Sequence, residues 1–178
     1  MARTNADAFE YVYGEIDNTS LIALMSLINP NSSTIFYDLG SGVGKAVLMC
    51  AMVFDLKKAC GIELFPLLHD AAQQQLTALS TDQAYHHTAK KIEFICASFL
   101  DIDFSDATLI FISATGLFGD TWVALNQRLE QLPNAPIIIT TTKKLLSSKF
   151  TIHRITRVQM SWGIVDAYIQ QNTTDQPL

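Results

Sequence analysis

The chain has 178 residues, of which 49% are hydrophobic and 16% charged, a composition typical of one compact domain and not of a disordered tail. Its 12 Lys and Arg residues against 17 Asp and Glu residues give a formal net charge of -5. That balance lacks the broad cationic surface used to bind phosphate backbones, so no nucleic-acid partner is indicated. The N-terminus resembles neither a secretory signal nor a transit peptide, and no apolar run has the length of a membrane span. We therefore expect a single cytoplasmic domain over residues 1–178, frayed at 1–8 and 172–178.

Runs rich in β-branched and aromatic residues alternate with helical patterns along the chain. The predicted strands cover 35–39, 59–63, 92–97, 108–113 and 136–142. The predicted helices cover 18–28, 43–54, 65–79 and 118–132, with a polar connector at 80–91. This alternation predicts an α/β fold in which parallel strands are joined by crossover helices on both faces of the sheet.

Two features of the second half complete the predicted fold. The segments 150–159 and 161–171 both have strand patterns with no helix-length segment between them, which predicts a C-terminal antiparallel hairpin. The last predicted helix carries an apolar stripe that core packing explains. Its members are Phe118, Trp122, Leu125, Leu129 and Leu132.

The three cysteines, Cys50, Cys60 and Cys96, lack metal-ligand spacing and are interpreted as buried small hydrophobic residues, so no metal site is predicted.

The clearest functional motif is the glycine-rich segment from Asp38 to Lys45, Asp-Leu-Gly-Ser-Gly-Val-Gly-Lys, which stands where the first strand turns into a helix. Glycines at this point let the backbone approach a ligand at the carboxyl end of the strand. A dinucleotide fingerprint requires its third glycine where this chain has Lys45. A phosphate-binding P-loop requires glycine in place of Leu39 and Ser or Thr in place of Ala46. Both of those nucleotide classes are therefore disfavoured.

Two acidic residues extend the motif. Glu63 ends the second predicted strand, where a carboxylate can accept hydrogen bonds from both ribose hydroxyls. Dinucleotide enzymes share that geometry, so Glu63 indicates a ribose and not a particular nucleotide. Asp38 is interpreted as an acid placed to meet a positively charged ligand group, although it can also serve as a helix cap.

Three segments of the chain, Tyr13-Gly14-Glu15, residues 36–44 and Gly61-Ile-Glu63, resemble the donor site of the class I methyltransferases. More narrowly, they are similar to the non-SET histone-lysine methyltransferases known as disruptors of telomeric silencing. The resemblance implies a Rossmann-like seven-stranded methyltransferase sheet and S-adenosylmethionine as cofactor. It implies the following cofactor-binding residues: Tyr13, Glu15, Asp38, Gly40, Ser41, Gly42, Gly44, Glu63, Leu64, Ser98, Phe99 and Ser113.

The resemblance extends more weakly to about Tyr168 and includes two departures. Residues 97–100 match an element that holds adenine, but Ser98 replaces its aspartate. Residues 109–113 match the strand leading to an asparagine motif beside the transferred methyl, but Ser113-Ala114-Thr115 stand in its place. The chain also lacks the basic segments with which the histone enzymes of the family reach nucleosomes. Short bacterial and mitochondrial lysine methyltransferases are therefore the better models.

The resemblance implies methyl transfer to a lysine amine of a protein, which is our first hypothesis. Desolvation in an aromatic channel would favour the neutral amine, and the candidates for that channel are Tyr13, Phe118, Trp162 and Tyr168. Core packing remains the favoured interpretation of Phe118 and Trp162. Tyr13, Ser113 and Tyr168 are the predicted catalytic residues. Two alternatives stay open, namely methyl transfer to a small molecule or other acceptor and a non-catalytic module that only binds S-adenosylmethionine.

Overall fold

The computed structural model describes residues 14–172, and it folds them into helices on both sides of one sheet. The helices are α1 (Asn18–Ser26), α2 (Lys45–Val53), α3 (Pro66–Thr81), α4 (His86–Ala89) and α5 (Gly119–Glu130). The strands are β1 (Ile35–Leu39), β2 (Lys58–Glu63), β3 (Ile92–Cys96), β4 (Leu109–Ser113), β5 (Ile137–Thr141), β6 (Phe150–Met160) and β7 (Gly163–Asn172).

The sheet has seven strands in the order β3-β2-β1-β4-β5-β7-β6. Strands β1 to β5 pair in parallel, whereas β7 pairs antiparallel with both β5 and β6. The predicted α/β fold with a C-terminal antiparallel hairpin is therefore confirmed. The strand order changes direction at β1, which pairs with β2 on one side and β4 on the other, and open sheets of this kind bind ligands beside the carboxyl ends of such strands.

Alternation along the strands divides the core into two layers. Phe36, Phe111 and Ile139 face the layer that includes buried residues of α1, α2 and α3. The intervening residues face the layer that includes buried residues of α5. Since side chains alternate along a strand, Asp38, Ser113 and Thr141 lie on the same face as Phe36, Phe111 and Ile139, at the carboxyl ends of β1, β4 and β5.

The structure corrects several details of the sequence interpretation. The predicted polar connector at 80–91 contains the short helix α4. Phe118 does not belong to the buried stripe of α5, because it precedes the helix and remains 48% exposed. Cys96 is exposed and not buried, unlike Cys50 and Cys60. Asn172 ends β7, so the predicted frayed end does not begin there.

Three further predictions concern the number of domains, membrane spans and metal sites. The single-domain assignment for residues 1–178 stays a prediction, and the terminal residues 1–13 and 173–178 lie outside the described part. Between residues 14 and 172, no helix combines the length and the hydropathy needed to cross a membrane. Over the same range, no group of three or more His, Cys, Asp or Glu side chains is arranged to hold a metal ion.

Candidate functional site

The loop between β1 and α2 owes its shape to three glycines with positive φ, at 86° for Gly40, 55° for Gly42 and 81° for Gly44. An added Cβ at Gly40 would meet nothing within 4 Å, so this residue leaves open space above the loop. A Cβ at Gly44 would lie 2.4 Å from Phe94 Cζ and 2.9 Å from Ala72 Cβ. Gly40 therefore keeps the site open, whereas Gly44 lets the start of α2 pack closely on its neighbours.

Glu63 fixes the loop from the end of β2. Its Oε2 accepts a hydrogen bond from the backbone N–H of Gly42, and its Oε1 accepts one from the backbone N–H of Phe65, each at 2.8 Å. The backbone N–H groups of Gly40 and Ser41 donate to the carbonyl oxygen of Ile62 at 2.8 and 3.1 Å. The loop is thus held in place by the neighbouring strand, and the Glu63 carboxylate is buried beneath it.

Asp38 is a second buried carboxyl group at this edge of the sheet, and it is only 3% exposed. Burial, and to a smaller extent the negative charge of Glu63, raise the pKa of Asp38 from 3.8 to about 8. The group is therefore mostly protonated at neutral pH. A positive charge brought beside it would favour its carboxylate form, so the position suits a cationic group of a ligand.

A cleft opens above Asp38 and the glycine loop. Residues from four parts of the chain line it: Gly14, Glu15, Ile16, Asp38, Gly40, Ser41, Lys45, Ala46, Phe111 and Ser113. Ser41, which lines the cleft, packs closely against Gly61, because a Cβ at residue 61 would lie 2.6 Å from Ser41 Oγ. The cleft therefore depends on a glycine in β2 as well as on those of the loop.

The segment before α1 closes one side of the cleft by pairing with the end of β6. The backbone N–H of Ser161 donates to the Glu15 carbonyl oxygen at 2.7 Å, and Ile16 forms an antiparallel bridge with Met160. Lys45 Nζ lies 3.2 Å from Glu15 Oε2, which ties the same segment to the start of α2. The segment is thus fixed at both the hairpin and the glycine loop.

The structure brings together most of the predicted cofactor residues. Glu15, Asp38, Gly40, Ser41 and Ser113 line the cleft directly. Gly42 and Glu63 stabilise the loop through their hydrogen bond, and Gly44 packs against Phe94 and Ala72. Their roles toward a ligand stay predictions.

Three predicted residues lie farther along the same sheet edge. Leu64 follows Glu63 and is 56% exposed. Ser98 and Phe99 lie just after β3. The residue before them, Ala97, donates its backbone N–H to the Glu63 carbonyl oxygen at 2.9 Å, which places them beside the end of β2. Ser98 Oγ accepts a hydrogen bond from Leu100 N–H at 3.1 Å, so its hydroxyl already stabilises a turn. Phe99 packs against the core layer of α5.

The predicted catalytic residues are more dispersed. Ser113 lies in the cleft. Tyr168 pairs with Thr140 and follows Ala167, whose side chain faces the core layer of α1 to α3. Tyr168 consequently points to the opposite face from Ser113. Tyr13 lies outside the described residues, so its proposed role has no structural observation here.

Two of the aromatic candidates, Trp162 and Phe118, are not core residues. Trp162 is 48% exposed, and its Nε1 would lie 2.7 Å from a Cβ placed on Gly14. Lys143 Nζ lies 4.2 Å from the ring centre of Phe118 and donates to the Leu117 carbonyl oxygen. Core packing as the favoured interpretation of Trp162 and Phe118 is therefore wrong, and both aromatic rings stand at the surface.

Sequence reasoning did not select several residues of the cleft. These are Ile16, Lys45, Ala46 and Phe111. Lys45 was considered as the last residue of the glycine-rich segment and as a mismatch to the dinucleotide fingerprint, but not as a residue of the site. Its ion pair with Glu15 joins residues 30 positions apart, a separation that no local pattern predicts. Ile16 and Phe111 carry apolar side chains, for which the sequence contains no signal beyond strand alternation.

A family model described as histone methylation protein DOT1 matches residues 4–167 of the chain. The chain belongs to the DOT1 histone methylation family. The match includes the glycine loop, Glu63, Ser113, strand β6 and the first half of β7, so the cleft of this DOT1 family member lies within the matched region.

Curated DOT1 relatives are much longer proteins. The chain is 32% identical over 145 residues to the histone-lysine N-methyltransferase, H3 lysine-79 specific, of Caenorhabditis elegans, which covers 77% of the chain and 15% of that protein. It is 37% identical over 71 residues to the enzyme of the same name from Kluyveromyces lactis, covering 40% of the chain and 12% of the relative. The chain thus matches only a small part of each relative.

Solved structures support the fold of the DOT1 family member. An RNA methyltransferase of Salinibacter ruber, crystallised with S-adenosyl-L-homocysteine, superposes with a TM-score of 0.68 at 20% identity, over 90% of this chain and 95% of that one. TrmN of Thermus thermophilus gives a TM-score of 0.70 at 17% identity, over 93% of this chain and 52% of that one. At these identities the likeness establishes the architecture of the sheet and helices.

Proposed function

We propose that the chain binds S-adenosylmethionine in the cleft and transfers its methyl group to a lysine amine of a protein. The observation that carries this proposal is that a buried acid, Asp38, lines the same cleft as an open glycine loop. Glu63 holds that loop in place. Membership of the DOT1 family supports it independently of that geometry.

The residues present fit this cofactor. Asp38 is a buried acid whose charged form needs a nearby cation, and S-adenosylmethionine carries positive charge on its sulfonium and amino groups. Each Glu63 oxygen accepts one backbone N–H, which leaves a further lone pair on each for a sugar hydroxyl. The open space at Gly40 admits a ligand close to the backbone.

When bound, S-adenosylmethionine supplies a methyl group on a positively charged sulfur that is already an activated leaving group. The protein therefore needs mainly to position the acceptor and exclude water. Ser113 lies at the carboxyl end of β4, where its hydroxyl can orient an acceptor beside the cleft. Trp162 lies against Gly14, a residue that lines the cleft, so its exposed ring can shield that side of the acceptor from water.

The lysine acceptor is supported by the family and by the exposed ring of Trp162, which lies against Gly14 of the cleft. The two curated relatives are named for transfer to lysine 79 of histone H3, but the chain matches no more than 15% of either. Protein lysine is accordingly the proposed acceptor class, without commitment to that site. A small-molecule acceptor and a binding-only module are the competing outcomes. The cytoplasmic location stays a prediction.

The decisive experiment supplies a radiolabelled methyl donor to the purified chain with three acceptors. These are recombinant histone H3, nucleosomes that contain it, and a fractionated proteome extract. Label recovered as methyllysine in protein supports the proposal, and the Asp38→Asn variant should lose that label. Label confined to small molecules or nucleic acid, or donor binding without any transfer, contradicts it.

A further inference from the structure

Thr141, the last residue of β5, has a buried hydroxyl group without a hydrogen-bond partner. The residue is fully buried at 0% exposure, and within residues 14–172 no group lies within bonding geometry of its Oγ1. An unpaired buried hydroxyl destabilises a fold, so most such groups in proteins are paired. Valine has almost the same shape and would avoid this cost, which makes the hydroxyl of Thr141 a feature that needs a reason.

The preceding residue shows how the same side chain is satisfied elsewhere in the strand. Thr140 faces the layer of α5, where its Oγ1 accepts a hydrogen bond from Gln170 Nε2 at 3.0 Å. Thr141 faces the opposite layer, with Ile139. Two adjacent threonines of equal burial therefore differ in whether the hydroxyl has a partner, and the unpaired one is on the side of the cleft.

Thr141 has one polar neighbour across the sheet on its own face. In the parallel pairing of β4 and β5 it stands beside Ser113, and in the antiparallel pairing with β7 it stands beside Ala167. Neighbouring strands lie about 4.8 Å apart, so hydroxyl groups on paired residues can meet after a side-chain rotation. Ser113 is the neighbour that lines the cleft.

Ser113 has a hydroxyl that is not used by local structure. It precedes the 3-10 turn at Ala114–Gly116, yet its side chain makes no capping hydrogen bond there. A serine hydroxyl has one hydrogen to donate and two lone pairs to accept. The direction of that single hydrogen determines whether Ser113 presents a donor or an acceptor to the cleft.

We infer that Thr141 is a positioning residue that acts through Ser113 on the acceptor. When an acceptor amine enters the cleft, a side-chain rotation lets the Thr141 Oγ1, unpaired in the free protein, accept the hydrogen of the Ser113 hydroxyl. The lone pairs of Ser113 are then left to accept an N–H of the acceptor amine. The amine is thereby oriented at the carboxyl end of β4. This inference rests on the proposed function, and it assigns the orientation of the nucleophile to two hydroxyl groups, that of Ser113 in the cleft and that of the buried Thr141 behind it.

The test compares Thr141→Val with Thr140→Val, two isosteric changes in adjacent residues. Thr141→Val should raise the melting temperature by about 2–4 °C, because it removes an unpaired hydroxyl. It should also lower kcat for methyl transfer to histone H3 by roughly tenfold while leaving the affinity for S-adenosylhomocysteine within about twofold. Thr141→Ser, which restores a hydroxyl, should recover most of kcat.

Thr140→Val should behave in the opposite way, with a lower melting temperature and an unchanged kcat, since it breaks the bond to Gln170. The inference is overturned if Thr141→Val lowers the melting temperature, if its kcat equals that of the wild type, or if it weakens donor binding. If the wild-type chain transfers no methyl group to any acceptor, the proposed function itself is wrong. That result concerns the wild type, so it is distinct from the three results with Thr141→Val that would overturn only the inference.

Discussion

Glu63 and Gly42 are joined by a 2.8 Å hydrogen bond that runs from the loop after β1 to the end of β2. The carboxylate accepts a second backbone N–H from Phe65, also at 2.8 Å. Glu63 thus organises both the glycine loop and the chain that leads into α3 before any ligand arrives. A side chain that the sequence predicts to bind ribose therefore has a structural role in the protein without ligand.

Glu63→Ala is therefore expected to lower both stability and donor affinity. It leaves two backbone N–H groups without their acceptor, at a cost of about 1–3 kcal/mol for each one that stays buried. Glu93→Ala is the control, because Glu93 is half exposed on β3 and forms an ion pair with Lys58 at 3.1 Å, a contact far weaker than two buried backbone hydrogen bonds. Thermal unfolding with and without S-adenosylhomocysteine measures both effects. Equal melting temperatures for the two variants would contradict the bracing role.

Donor affinity should increase with pH up to about 8, because the pKa of Asp38 in the free protein is about 8. A cationic ligand requires the carboxylate, so binding below that pH must release a proton, and affinity should fall by as much as about tenfold per pH unit. Calorimetry in buffers of different ionisation enthalpy counts the released proton. Asp38→Asn should bind weakly with no pH dependence. A wild-type affinity that is constant from pH 6 to 9 would exclude this linkage.

The same pKa shift has a consequence for stability. Asp38 is protonated in the folded chain up to about pH 8, whereas in the unfolded chain it ionises near 3.8. Between these values the unfolded chain binds fewer protons at this site, so its contribution to stability falls as the pH rises. Asp38→Asn should accordingly gain stability relative to the wild type as the pH is raised through this window. Urea unfolding at pH 5 and pH 8.5 provides the comparison.

Gly44→Ala and Gly40→Ala separate packing from ligand access. Both glycines have similar positive φ, at 81° and 86°, so each substitution carries a similar backbone strain of about 1–2 kcal/mol. Only the Cβ at residue 44 overlaps Phe94 and Ala72. Gly44→Ala should be the less stable variant, and Gly40→Ala should keep more stability but bind the donor less well. Similar unfolding free energies for both would show that the close packing at Gly44 is not needed.

Gly14→Ala should displace Trp162, since the added Cβ would lie 2.7 Å from its Nε1. The indole then becomes more exposed, and its fluorescence should shift to longer wavelength and become more sensitive to acrylamide. Trp122 is buried in the core and contributes a constant background. The double variant Gly14→Ala, Trp162→Phe serves as the control. An unchanged emission spectrum in Gly14→Ala would show that the two residues do not pack together.

The sequence contained enough to predict the sheet and the centre of the site. The predicted strand ranges placed Asp38 near the end of β1 and Glu63 at the end of β2, and the parallel pairing, in which Asp38 stands beside Gly61, brings both acids to the same edge of the sheet. The glycine spacing disfavoured two other nucleotide-binding loops. These predictions depend on local patterns and on the rule that parallel strands end at a common edge, which needs no knowledge of side-chain packing.

The remaining details depend on long-range contacts that no local pattern encodes. The docking of Glu15 on Ser161 joins residues 146 positions apart. Exposure of Phe118 follows from the start of α5 at Gly119, one residue later than the apolar stripe suggests. The unpaired hydroxyl of Thr141 becomes visible only when the partners of every buried polar atom are known.

Chemical-shift mapping of the isotope-labelled chain during titration with S-adenosylmethionine tests the central claim most directly. We expect the largest backbone shifts at Gly40, Ser41, Gly42 and Ser113, with little change at the exposed edge strand β6 around Arg154. Saturable shifts confined to those residues would place the donor in the cleft. Absence of saturable shifts, or shifts centred on another surface, would contradict the assignment of this cleft as the donor site.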